Sequence, residues 1–179
     1  MVVNETKVRV YYEDTDKMGV VYYGVYPRYY EIGRTELIRE IGISYKEIED
    51  SGVILPARSL KVNDIKSAYY DELLTVRTIV DEIPKVKFPI KTEIYNSKGE
   101  LINHGEVILA FFDEKKQKPC RIPKNFEEAL KNALRKIYNP TILNSVLRLL
   151  PLPSTVSFES TGDVRPYPLE LRRLSSIPY

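Results

Sequence analysis

One long helical pattern set among strand-like segments most constrains the fold of this 179-residue chain. From Val25 to Ile41, aromatic and apolar residues recur at the spacing that places them on one face of an α-helix. Pro27 suits the first turn, where its missing N–H leaves no hydrogen bond unmade. Gly33, in the middle of that face, allows close contact with a sheet, and Gly42 can end the helix as a C-terminal cap. The pattern predicts a buried helix packed against β-strands.

Several further segments have the residue pattern of β-strands. Alternating polar and apolar residues, or short apolar runs bounded by turn residues, indicate strands near Lys7–Tyr12, Ile54–Ile65, Leu73–Ile83, Val86–Tyr95 and Leu101–Phe112. The residues Asn-Ser-Lys-Gly at 96–99 predict a tight hairpin turn, and a second helix is predicted from Phe126 to Tyr138. One long helix among antiparallel strands predicts an α+β domain with the helix on one face of the sheet.

The single histidine and the single cysteine limit the kinds of active site that the chain can form. A Ser-His-Asp or Cys-His mechanism would have to use His104, which falls in a strand pattern and is expected to be structural. Cys120 has no partner for an internal disulfide, and no CxxC or HExxH spacing indicates a zinc site. No glycine-rich phosphate-binding motif is present. Carboxylates or tyrosines are therefore the groups expected to carry chemistry, with no metal and no cofactor.

The charge and the apolar runs bear on location and on partners. A formal net charge of +2 gives no global field that would attract nucleic acid or an anionic membrane. No stretch approaches the roughly 20 apolar residues of a membrane span, and the first residues lack the basic and apolar regions of a signal peptide. These features are typical of a cytoplasmic protein, with no nucleic-acid partner and no membrane span.

The composition changes at Asn139-Pro140. Lysine is frequent before this point and absent after it, where Ser, Pro, Leu and Arg dominate. The residues after it show neither clear strand alternation nor strong helix caps. We therefore predict one folded domain at residues 1–138 and an appended tail of unknown role at residues 139–179.

A string of acidic, glycine and aromatic residues leads into the long helix. It consists of Val10-Tyr11-Tyr12-Glu13-Asp14-Thr15-Asp16, Gly19-Val20-Val21-Tyr22, Tyr26, Tyr30-Glu31 and Arg34-Thr35-Glu36. This string resembles the opening of the hotdog-fold acyl-CoA thioesterases, above all the 4-hydroxybenzoyl-CoA thioesterase type and the Tol–Pal-associated bacterial type. The likeness extends from about Val8 to Phe126. It implies a hotdog fold, an antiparallel sheet wrapped around one long central helix, and hydrolysis of acyl-CoA to free acid and coenzyme A.

The resemblance also implies which groups act. Asp16, the second Asp of the motif, would be the catalytic carboxylate, and the backbone N–H of Tyr23 would polarise the thioester carbonyl. A helix N-terminus offers free N–H groups and positive potential, which can stabilise a developing oxyanion. The thiolate leaving group has a conjugate acid with a pKa of roughly 8.5, so it departs without a strong acid. The Tol–Pal branch has His where this chain has Tyr23, so a role for that histidine side chain is not carried over.

Residues around the motif, and two lysines in a later turn, are also expected to have roles. The residues expected to bind the substrate near the loop are Tyr12, Gly19, Val20 and Tyr22, although core packing explains the two tyrosines about equally well. Asp14 is expected to serve the turn, and Glu31 to pair with Arg34 three residues later. Lys85 and Lys87 lie in a turn where the family often contacts coenzyme A phosphates.

Two other functions are compatible with the same residues. The first is an acyl-carrier-protein thioesterase with the same chemistry, and the second is a non-catalytic acyl-CoA-binding protein. The sequence leaves the acyl length and the choice between aromatic and aliphatic acids undecided. The resemblance implies a homodimer or a homotetramer, because hotdog domains pair their sheets edge to edge with the pocket between subunits.

Overall fold

The structure is a computed structural model that describes residues 1–137; the predicted tail lies outside the described residues. The elements in chain order are β1 (Val2–Arg9), α1 (Tyr26–Glu40), α2 (Tyr45–Asp50), β2 (Val53–Ile54), β3 (Ala57–Asp64), β4 (Leu73–Val80), β5 (Lys87–Tyr95), β6 (Leu101–Ala110), β7 (Phe112–Asp113), β8 (Lys118–Pro119) and α3 (Lys124–Ile137). Two single-turn 3-10 helices, Tyr12–Asp14 and Tyr23–Val25, lie between β1 and α1. No helix within residues 1–137 is long and apolar enough to cross a membrane.

The main sheet has five strands in the order β1-β4-β5-β6-β3, and every neighbouring pair is antiparallel. Helix α1 packs across one face of this sheet and contacts β1, β3, β4 and β5. Its buried face consists of Tyr26, Tyr29, Tyr30, Gly33, Leu37 and Ile38. A sheet wrapped around one long helix is the α+β hotdog arrangement that the resemblance implied, so the predicted fold class is confirmed.

The close contact predicted at Gly33 is present. A Cβ atom on this residue would overlap Thr78 Oγ1 and would lie 2.7 Å from Val76 Cγ1, both on β4. Any side chain there would push α1 away from the sheet. The predicted cap is also confirmed, since Gly42 has a φ of +92° and its N–H donates to the Arg39 carbonyl at 3.0 Å.

The buried apolar residues form two clusters under α1. One lies between the second half of α1 and α3, where Phe88, Phe111 and Phe126 pack with ring centroids 5.5 to 5.9 Å apart. The other surrounds the first half of α1 and includes its three buried tyrosines. This second cluster also contains Val10 and Val21, which flank the segment that carries Asp16.

The first strand differs from its predicted position. It was expected at Lys7–Tyr12, but β1 ends at Arg9, and Tyr12 begins a 3-10 turn. The alternation of residues continues past Arg9, but the Asp14 carboxylate accepts the Tyr11 N–H at 3.0 Å and bends the chain. A side chain that bonds nearby backbone thus competes successfully with the strand pattern.

Two further differences have local causes. Helix α2 was not predicted, although Ser44 and Glu47 form a reciprocal capping box at its start. The strand expected at Ile54–Ile65 is divided into β2 and β3 around Pro56, which has no N–H to donate to a ladder. The hairpin turn at 96–99 is confirmed, with Gly99 at a φ of +77°.

Candidate active site

Asp16 is the first residue of a tight turn that precedes α1. The Gly19 N–H donates to the Asp16 carbonyl at 2.9 Å, and the Asp16 N–H donates to the Val20 carbonyl at 3.0 Å. Gly19 has a φ of +76°, so the turn is a three-residue hairpin loop closed by a left-handed residue. Gly19 thus shapes the loop. Val20, which follows it, forms a β-bridge with Tyr69 in the connection between β3 and β4.

The Asp16 side chain is half-buried, and its two oxygens differ. Oδ1 accepts the Met18 N–H at 2.8 Å, which is the usual bond of an aspartate in the first position of a turn. Oδ2 has no hydrogen-bond partner within residues 1–137. The carboxylate is therefore oriented by one oxygen and has the other available for chemistry.

The N-terminus of the helix follows directly. The Tyr22 N–H donates to the Asp14 carbonyl and the Val25 N–H donates to the Tyr22 carbonyl, each at 2.9 Å. The N–H groups of Tyr23 and Gly24 donate to no acceptor in the described part of the chain, as expected for the first residues of a helix. No side chain caps this end. These free donors lie at the positive end of the α1 dipole.

Asp14 lies beneath the loop and is almost completely buried, with an exposed fraction of 1%. Its carboxylate accepts hydrogen bonds from the Arg28 guanidinium and the Tyr29 hydroxyl, both at 3.0 Å, in addition to the Tyr11 N–H. Burial, and then the hydrogen bond to Asp14, raise the pKa of Tyr29 well above its ordinary value. The hydroxyl therefore stays protonated and remains a donor to Asp14.

The two tyrosines expected to bind the substrate lie on the surface of the chain. Tyr12 and Tyr22 are 78% and 45% exposed, so neither packs in the core. Tyr12 makes an edge-to-face contact with Tyr70, and Tyr22 lies against Tyr23 with ring centroids 4.4 Å apart. The adjacent Tyr23 hydroxyl is the main cause of a raised pKa at Tyr22, with smaller contributions from desolvation and the charge of Asp16.

Together with neighbours, these side chains form an exposed aromatic rim around the Asp16 loop. Its members, each at least 45% exposed, are Tyr11, Tyr12, Met18, Tyr22, Tyr23, Tyr69 and Tyr70. Clustered exposed apolar side chains of this kind mark binding surfaces for ligands or proteins.

The lysines assigned to coenzyme A lie at the other end of the sheet. Lys87 and Arg58 line an apolar cavity of about 700 Å³ formed by the start of β3, the start of β5 and the end of β6. Lys85 is exposed just before it. The Asp16 loop instead adjoins the residues that follow β3, because the Val21 N–H donates to the Ala68 carbonyl at 2.9 Å. The length of β3, roughly 25 Å for an eight-residue strand, separates the two regions within one chain.

Glu31 on α1 and His104 on β6 are both exposed. Glu31 is exposed and forms the expected ion pair with Arg34 at 3.7 Å, and Arg34 Nε also donates to the Tyr45 hydroxyl. His104 is exposed on the outer face of β6, directly opposite Asn63 and Glu93.

A buried chain of polar side chains near the start of α1 was not predicted from the sequence. The Tyr30 hydroxyl donates to Asn103 Oδ1, and Asn103 Nδ2 donates to Asp64 Oδ1 at 2.6 Å. Burial first, then the charges of Asp64 and Glu72, raise the pKa of Tyr26 to about 12. Asp64 lies directly opposite Asn103 in the sheet. This contact could be predicted from the sequence only if the pairing of β3 with β6 were already known.

Comparison with known proteins relates this geometry to an enzyme family. A family model described as the thioesterase-like superfamily matches residues 10–130. The chain is 34% identical over 118 residues to the acyl-CoA thioester hydrolase YbgC of Escherichia coli, covering 66% of this chain and 88% of that protein. It is 33% identical over 132 residues to the acyl-CoA thioesterase YbgC of Helicobacter pylori, covering 69% and 97%. The structure of a DHNA-CoA thioesterase from Staphylococcus aureus aligns with a TM-score of 0.69 and 34% identity over 84% of this chain and 98% of the other.

Proposed function

The chain belongs to the thioesterase-like superfamily, and we propose on this basis that it hydrolyses acyl-CoA to a free acid and coenzyme A, with Asp16 as the catalytic carboxylate. The observation that carries the proposal is the connection between the two reacting parts. The loop that presents Asp16 is hydrogen-bonded to Tyr22, the residue just before the free N–H groups of Tyr23 and Gly24. A carboxylate and a pair of oxyanion donors thus belong to one short segment.

The arrangement supports a mechanism that uses one carboxylate and two backbone N–H groups. The thioester carbonyl oxygen accepts hydrogen bonds from the Tyr23 and Gly24 N–H groups, and the helix dipole stabilises the charge that develops on it. Asp16 Oδ2 either attacks the carbonyl carbon or takes a proton from an attacking water. The carbon–sulfur bond breaks and the coenzyme A thiolate leaves. Either route consumes one water and yields the acid and the thiol.

The position of Lys87 supports a site shared between two subunits. Strand β3 is an edge of the sheet, and its first five residues are exposed. Two such edges that pair antiparallel about a two-fold axis bring the start of one β3 beside the end of the other. The cavity lined by Arg58 and Lys87 of one subunit would then approach the Asp16 loop of its partner. We propose that these cations, with Lys85 nearby, bind the coenzyme A phosphates.

The rim around the Asp16 loop supports the same assembly. A second subunit placed there would cover the exposed tyrosines and would enclose the acyl group between the two chains. Tyr12 and Tyr22 would then line the acyl pocket. We propose a homodimer built in this way, or a homotetramer made of two such dimers.

A substrate screen tests the activity. Thiol release is measured with short-chain, long-chain and aromatic acyl-CoAs; the relative from Staphylococcus aureus, named for an aromatic thioester, motivates the aromatic set. We expect turnover with at least one class and its loss in Asp16→Asn. Binding of acyl-CoA without turnover by the wild-type chain would instead support the non-catalytic protein.

The same assay separates coenzyme A from acyl-carrier protein as the carrier of the acyl group. Free coenzyme A should compete with an acyl-CoA substrate if the cavity binds its phosphates. Absence of competition, with turnover of the acylated carrier protein, would favour the carrier-protein thioesterase.

A further inference from the structure

The buried carboxylate of Asp14 fastens the loop of Asp16 to helix α1. A buried charge is unfavourable unless it is paired and hydrogen-bonded. Here both oxygens are satisfied, with Oδ1 bound to Arg28 and Oδ2 bound to Tyr29 and to the Tyr11 N–H. Arg28 and Tyr29 belong to the first turn of α1. The side chain of Asp14 therefore joins the loop to the beginning of the helix.

The backbone of Asp14 makes a second connection. Its carbonyl accepts the Tyr22 N–H at 2.9 Å, and its N–H donates to the Tyr11 carbonyl at 3.0 Å. Tyr22 is the residue directly before Tyr23, whose N–H is a proposed oxyanion donor. Asp16 follows Asp14 by two residues. One buried residue thus connects the segment that carries the catalytic carboxylate with the segment that carries the oxyanion donors.

We propose that Asp14, in its ionised form, is a positioning residue for thioester hydrolysis, which sets the separation between the Asp16 carboxylate and the free N–H groups of Tyr23 and Gly24. The inference rests on the proposed function of Asp16. Ionisation matters because all three partners of the carboxylate are donors. An asparagine side chain has the same shape, but its amide N–H₂ would face one of these donors and would weaken the attachment.

The test compares kcat and KM in variants of this cluster. Asp14→Asn should lower kcat by roughly 10²-fold, the loss that a displacement of about 1 Å can cause, while KM stays near the wild-type value. Tyr29→Phe removes one of the three donors and should lower kcat in the same direction by a smaller factor. The double variant should lose no more than Asp14→Asn alone, because both substitutions act on one connection.

Leu130→Ala is the matched control for lost stability. Leu130 is buried in α3, in the apolar cluster away from the loop. Its truncation should lower the melting temperature and leave kcat near the wild-type value when all variants are assayed fully folded. If the kcat of Asp14→Asn is no lower than that of Leu130→Ala, the positioning role is refuted.

Amide hydrogen exchange gives a readout that does not need activity. Exchange in peptides spanning residues 15–25 should be faster in Asp14→Asn than in the wild type and unchanged in Leu130→Ala. If the wild type hydrolyses no thioester, the proposed function fails, and the exchange result still decides whether Asp14 holds the loop. Unchanged exchange in Asp14→Asn would overturn the inference.

Discussion

At the scale of single residues, the carboxylate of Asp16 combines a structural bond with a free oxygen. Oδ1 accepts the Met18 N–H and helps to shape the turn, whereas Oδ2 has no partner among the described residues. A turn aspartate needs only the first of these features. The free oxygen, in a loop that is hydrogen-bonded to the residue before an uncapped helix N-terminus, distinguishes a catalytic candidate from an ordinary turn residue.

Asp16→Asn should abolish turnover and leave acyl-CoA binding largely intact. Asparagine retains an oxygen that can accept the Met18 N–H, so the turn is preserved. It can neither act as the nucleophile nor accept a proton from water. We expect kcat to fall at least about 10²- to 10⁴-fold, about 3–5 kcal/mol of barrier. The measurements are kcat with a preferred acyl-CoA, a binding isotherm and a thermal melt.

Glu31→Gln is the control for a carboxylate on the helix. Glu31 is exposed and paired with Arg34 at the surface, so its loss should change kcat little. Loss of turnover in Glu31→Gln with near-normal kcat in Asp16→Asn would move the active carboxylate to α1.

At the scale of elements, the close packing of α1 on β4 depends on the absence of a side chain at Gly33. Gly33→Ala should destabilise the fold by about 1–3 kcal/mol, because its new methyl group meets Thr78 Oγ1 and Val76 Cγ1. Thr78→Ala removes one of these contacts, so the double variant should recover part of the loss. Urea unfolding of the single and double variants measures this coupling. Additive losses would mean that Thr78 is not the group that excludes a side chain at position 33.

The tyrosine face of α1 should make stability fall at high pH. An unfolded tyrosine loses its proton near a pKa of 10.0, whereas Tyr26 in the folded protein keeps it to about 12. Because the folded state binds this proton more tightly, the contribution is fully present below pH 10 and is lost as pH rises from 10 to 12. Urea midpoints should fall across this window. Tyr26→Phe should flatten the fall, and an equally steep fall in that variant would exclude Tyr26 as a cause.

The elements differ in how far the sequence predicts them. Helix α1 was predicted closely because its buried face repeats over several turns, and no long-range contact is needed to detect it. The end of β1 was predicted wrongly because the Asp14 carboxylate accepts the Tyr11 N–H and bends the chain, a bond that the alternation of polar and apolar residues does not reveal. Helix α2 was missed although the pair Ser44 and Glu47 signals its start.

The residues of the candidate site also differ in how far the sequence predicts them. Asp16 and the Tyr23 N–H were assigned from a motif whose residues are close together in the chain, and this assignment stays a prediction. The burial of Asp14 was not predicted, because it depends on how α1 lies against the loop. The cavity at Lys87 was also missed, since Arg58 reaches it only through the pairing of β3 with β6.

At the scale of the whole molecule, the prediction for the tail stays open. A truncated chain ending at Asn139 should fold and hydrolyse its substrate like the full chain. The reason is that the family match ends at residue 130 and the composition changes near Asn139. A thermal melt and kcat compare the two chains. Precipitation or loss of activity on truncation would make residues 140–179 part of the domain.

The proposed assembly predicts that two inactive variants can restore each other. If Arg58 and Lys87 serve the Asp16 loop of the partner, a mixed dimer of Asp16→Asn with the double variant Arg58→Glu/Lys87→Glu holds one site in which every group is native. Unfolding and refolding an equal mixture should then recover about a quarter of the wild-type activity, since about half of the dimers are mixed and each has one intact site. Sedimentation equilibrium first establishes that the wild type is larger than its 20.8 kDa chain at micromolar concentration. Mixtures that show only the average of the two parent activities, although mixed dimers form, would place Asp16 and the two cations in independent sites. A single 20.8 kDa species would refute the shared site outright, because no partner would then be present to supply Lys87.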